Sequence, residues 1–121
     1  MESILTSIKK LLGITEDCID FDIDIIIHIN SVFMILTQIG VGPEEGFAIK
    51  DKFSIWTDFV PEGYVESVKT YVYLRVKLLF DPPASSAVME SIKRQADEIE
   101  WRLNVAADKT KSDGEEEIQN G

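Results

Sequence analysis

His28 stands four residues after Asp24 and three before Ser31, spacings that place an acid, a base and a hydroxyl nucleophile side by side on one helix. A polar helix face supplies such neighbours as a matter of course, and the plainer reading is a surface histidine. Cys18 is flanked by Asp17 and lies among carboxylates, which raise a thiol's pKa and oppose nucleophilic attack. Asp20, Asp22 and Asp24 alternate without the glycine and closing glutamate of a calcium loop. On a helix they point in different directions, where they favour the positive end of its dipole. Gly40-Val41-Gly42-Pro43 lacks the Lys-Ser/Thr ending or the third spaced glycine of a phosphate-binding loop. One cysteine and one histidine do not make a tetrahedral zinc site or an internal disulfide. No enzyme and no cofactor are expected.

Two other residues invite contacts rather than reactions. Arg75 falls beside Tyr64, Val68, Tyr71 and Leu79 on a helix, opposite the polar line of Glu66, Thr70, Tyr73 and Lys77. Its guanidinium must either snorkel to water or pair with an acid from another helix or another subunit. Trp101 lies off its helix's apolar stripe, among Glu90, Arg94, Asp97 and Glu98. It is either an interface anchor or a residue packed under the 40–60 segment or against Arg94. Asn30, set among Ile23, Ile27 and Met34, needs partners for its amide if buried.

These residues need elements to hold them. The chain has 121 residues, one domain's worth, with 45% apolar and 9% aromatic residues, enough for a core. Apolar residues recur at spacings of three and four, which predicts helices over about 2–12, 20–39, 61–80 and 85–107. Gly13 ends the first, Pro61 suits the start of the third, Asp81-Pro82-Pro83 stops it, and Ser85 or Ser86 caps the fourth. The second is so apolar that most of its sides are expected to be covered. Across 40–60 the periodicity fails, leaving an extended segment or a small hairpin open. The expected fold is all-α, a small bundle of about four helices with a long central loop. The helical domain spans 1–107, and 108–121 reads as a flexible acidic tail.

Charge narrows the partners. Twelve basic against twenty-two acidic side chains give a net −10, which disfavours gripping a phosphate backbone. The apolar stretch 23–39 is interrupted by Asp24, His28, Asn30, Ser31 and Gln38, too polar for a membrane span. No secretion signal is evident, so the protein is expected to be soluble and intracellular.

Read whole, the order of residues resembles the head-tail connector, or adaptor, family of tailed bacteriophages and prophages. The likeness rests on Leu12-Gly13, on Asp22-Ile23-Asp24-Ile25-Ile26 leading to Ile29-Asn30-Ser31-Val32, and on Trp56-Thr57-Asp58-Phe59. It continues through Val68 to Leu79-Phe80-Asp81-Pro82-Pro83 and closes at Glu100-Trp101-Arg102-Leu103, covering about residues 1–104. The resemblance implies a structural subunit forming a ring, dodecameric on the portal and monomeric alone. That ring extends a channel through which DNA passes without specific binding, and it receives the next neck or tail-completion protein. It implies a place in the virion neck, reached from the host bacterial cytoplasm during assembly, with no membrane partner. The interface candidates are Trp101, Arg94, Arg75, Tyr73, Trp56 and Phe59. The alternative is a small acidic inhibitor or regulator whose carboxylates mimic nucleic acid.

Overall fold

The computed structural model describes the backbone of residues 2–120 and the side chains of residues 2–109. It contains four α-helices, α1 (Ile4–Leu11), α2 (Asp22–Gln38), α3 (Val65–Phe80) and α4 (Ser86–Asn120), with short 3₁₀ turns at Trp56–Asp58 and Glu62–Tyr64. This is the expected all-α bundle, and local chemistry sets most of its boundaries.

Ser3 caps α1, its Oγ accepting from Thr6 N at 3.2 Å. At the other end Gly13 takes a left-handed φ of 82°, and Ile14 N donates to Lys9 O at 2.9 Å. The end of α2 is a Schellman turn: Gly40 has φ 90°, Gly40 N donates to Thr37 O and Val41 N to Leu36 O. Ser85 caps α4 through its Oγ, which accepts from Val88 N at 3.3 Å. Pro61 departs from expectation. Its ψ of 152° keeps it outside the helix, so a 3₁₀ turn precedes α3 and the helix begins at Val65. The backbone of α4 continues past the expected end at 107 to Asn120, whereas the side chains of 110–121, the bulk of the acidic tail, lie outside the described residues.

Packing is built around α3, which lies against both α2 and α4, while α1 closes onto α2 and α3. From α1 come Ile4, Leu5 and Ile8, from α2 Ile25, Ile29, Val32, Phe33 and Leu36. The inner side of α3 adds Val68, Tyr71, Val72 and Val76, and α4 contributes Ala96 and Leu103. Burial of this apolar surface is the main force holding the helices together.

The 40–60 segment forms no hairpin. Its one β-type pairing is an antiparallel bridge between Ser3 and Ile55, reinforced by Ile4 N donating to Ser54 O at 2.9 Å. The segment is instead an irregular strap whose apolar side chains enter the core. Phe33 of α2 meets Phe47, Trp56 and Phe59 at centroid separations of 5.4, 6.4 and 4.5 Å. Such aromatic packing replaces the strand periodicity that a hairpin would have required.

Candidate functional site

The residues with the clearest chemical look do not converge. Ser31 Oγ donates to Ile27 O within its own helix at 3.0 Å. His28 is half-buried and its ring lies edge-on to Phe80 at 6.3 Å. Cys18 is half-buried and offers its carbonyl, not its sulfur, to Lys9. Among the described residues no group of three or more His, Cys, Asp or Glu side chains is placed to hold a metal ion, and no helix is long and apolar enough to cross a membrane.

Arg75 joins α3 to α4. Its Nη2 lies 2.7 Å from Asp97 Oδ1 and 3.3 Å from Glu100 Oε1, so of the two expectations the ion pair is the one realised, within the chain. Arg75 Nε donates to Tyr71 OH at 3.3 Å, and Tyr71 OH donates in turn to Glu100 Oε1. Burial, followed by the hydrogen bond to Glu100, pushes the Tyr71 pKa up to about 12. Burial alone would lower the pKa of Arg75, but hydrogen bonds to Tyr71 and Asp97 outweigh it and hold the guanidinium above its ordinary value.

A second polar knot was not singled out by sequence. Lys9, 2% exposed, donates to Glu16 O at 3.0 Å and Cys18 O at 2.7 Å and lies 2.8 Å from Asp22 Oδ1. That oxygen is shut from water and accepts no aligned hydrogen bond, so the charge contact with Lys9 is what balances it. The usable signal is positional: Lys9 follows Leu5 by four residues and precedes Leu12 by three, on the inward side of α1.

Trp56 and Phe59 are 1% and 3% exposed and serve the subunit's own core, which corrects their candidacy for an interface. Trp56 Nε1 donates to Ser7 Oγ at 2.8 Å, satisfying the indole where aromatic bulk is enclosed. Tyr73 is half-buried against the same core. Arg94 and Trp101 share the outer side of α4, and Trp101 is 65% exposed. It is therefore not tucked beneath the 40–60 segment.

The outer side of α2 is also bare. Ile23, Ile27 and Met34 are 76%, 57% and 65% exposed, so α2 is less covered than its composition led one to expect. Exposed apolar side chains gathered on one side of a helix are a feature of surfaces that meet another protein. An apolar recess of about 210 Å³ lies between Gly40–Gly42, Val60, Tyr64 and Leu103, and more polar hollows of about 390 and 540 Å³ lie beside Thr70 and Arg102 and beside Lys10 and Gly13. On α4 the acids Glu90 and Glu98 are interleaved with Lys93, Arg94 and Arg102, and Glu98 pairs with Arg102 at 2.7 Å. A nucleic-acid mimic needs an unbroken acidic strip, and the described side chains of this helix do not present one.

In comparison with known proteins, a family model described as "Phage connector protein" fits residues 4–110. No curated protein and no solved structure matches the chain.

Proposed function

The chain belongs to the phage connector protein family, and from that premise we propose that it is a neck adaptor, a ring-forming subunit that docks on the portal. The ring extends the DNA channel and receives the next neck or tail-completion protein. Its role is structural, its place is the virion neck, and it is made in the host bacterial cytoplasm. Twelve copies on a portal and monomers when free are the stoichiometry we assign.

The observation that carries this reading is the family match over most of the chain, joined to the bare apolar faces of α2 and α4. Subunits that close a ring use two different surfaces, one for each neighbour, and the contact is heterologous. The net charge of −10 suits a channel wall, because like charge keeps a moving duplex from adhering.

The test is to mix the purified protein with portal assemblies of the same phage and examine the product by sedimentation and electron microscopy. Co-sedimentation with an added ring of density is expected. Absence of binding overturns the adaptor role.

A further inference from the structure

The stripe on α2 and the stripe on α4 are complementary in order as well as in character. On α2 an acid, Asp24, is followed by Ile27 and Met34; on α4 a base, Arg94, is followed by Trp101 and Val105. Each stripe occupies about three turns and lies about opposite the residues its helix buries, Ile25, Ile29 and Val32 on α2 and Ala96 and Leu103 on α4. Because α3 packs between α2 and α4, the two stripes belong to opposite flanks of the subunit.

The neighbouring charges are already neutralised within the chain. Asp22 is met by Lys9, Glu98 by Arg102 and Glu90 by Lys93. Among the described residues Asp24 and Arg94 have neither an ion-pair nor a hydrogen-bond partner. Each flank is left with exposed apolar surface beside a charge without a partner, Asp24 on α2 and Arg94 on α4, and these two are opposite in sign.

We propose that the α2 stripe of Asp24, Ile27 and Met34 receives the α4 stripe of Arg94, Trp101 and Val105 from a second copy of the chain, the two helices running in the same direction. Asp24 meets Arg94, and the Trp101 indole covers the Ile27 side of α2. One such contact leaves an α4 stripe free on one copy and an α2 stripe free on the other, so it repeats from copy to copy. The proposal rests on the ring-forming reading above and names the surfaces that reading leaves open.

Charge reversal tests it. Asp24→Arg and Arg94→Glu are exposed changes whose folding is checked by circular dichroism, and assembly is followed by sedimentation, alone and on portal assemblies. Each variant by itself is expected to need about tenfold or more protein for half-assembly, since like charges then face each other. An equimolar mixture restores assembly. At every second junction the unaltered Arg94 of the first variant meets the unaltered Asp24 of the second, and at the junctions between them the two introduced charges meet with their signs exchanged. Trp101→Ala is expected to weaken assembly with helicity intact. Wild-type assembly together with normal assembly of both reversals overturns the pairing and leaves the ring reading standing; failure of the mixture to rescue also overturns it. A wild-type chain that assembles neither alone nor on portals overturns both.

Discussion

Asn30 and Ile49 exchange a reciprocal pair of hydrogen bonds: Asn30 Nδ2 donates to Ile49 O at 3.0 Å, and Ile49 N donates to Asn30 Oδ1 at 2.8 Å. The side-chain amide behaves as a piece of backbone, giving the strap a ladder partner that no strand supplies. It fixes Ile49, 2% exposed, in the core. Replacing Asn30 by Leu removes both bonds and leaves an amide and a carbonyl of Ile49 unpaired. A loss of about 1–3 kcal/mol is expected in urea unfolding, with native helicity kept. Unchanged stability would show that the strap is held by its apolar side chains alone.

Lys9→Met tests the buried knot at the start of α2. Methionine fills similar volume but leaves Asp22 and the carbonyls of Glu16 and Cys18 without their donor. The expected loss is about 3 kcal/mol, the low end for a broken buried pair because Asp22 is partly exposed. Asp22→Asn in the Lys9→Met background should recover part of it, and no recovery would place the cost in the carbonyls.

Gly42 has φ 86°, and a Cβ there would stand 2.3 Å from Phe59 Cε1. Gly46 has φ 95° but open space around it. Both Ala substitutions meet backbone strain, of order 1 kcal/mol; only Gly42→Ala also displaces the Phe59 ring. Chemical denaturation should rank Gly42→Ala below Gly46→Ala by about 1–3 kcal/mol. Equal losses would mean that the ring moves aside freely.

Tyr71 supplies a pH test. Its pKa is raised from 10.0 to about 12 on folding, so the neutral phenol is the form that the fold favours. The stabilisation is fully present below about pH 10 and is lost as pH climbs towards 12. Wild-type stability should therefore fall more steeply than that of Tyr71→Phe between those values. Lys69, also raised, chiefly by its hydrogen bond to Glu2, loses stabilisation in the same direction and is common to both proteins. Parallel curves would remove Tyr71 from the linkage.

The helices were readable because their signals are local: three- and four-residue spacing, Gly13, Ser85 and the Asp81-Pro82-Pro83 stop. Arg75 was readable in part: a cation on an inward sector must find an acid or snorkel to water, and only the structure decides for Asp97 and Glu100. Trp56 and Phe59 were misjudged because their burial depends on Phe33, more than twenty residues away in sequence, and the strap that carries them has no period to show which side faces in. Lys9 was missed because two of its partners are carbonyls, which every residue possesses and no composition reveals. The bare side of α2 was hidden for the opposite reason: Ile23 and Ile27 look like core residues wherever they stand, and nothing in a single chain tells an inward isoleucine from one awaiting a neighbour.

The bonds from Ser3 to Ile55, Ile4 to Ser54 and Ser7 to Trp56 tie the first turn of the chain to a segment some fifty residues later. On a translating ribosome α1 thus emerges well before its clasp exists, and its greasy side waits in water until the strap has cleared the exit tunnel. Contacts of such wide sequence separation slow folding, so α1 is seated only once the strap behind it has been made.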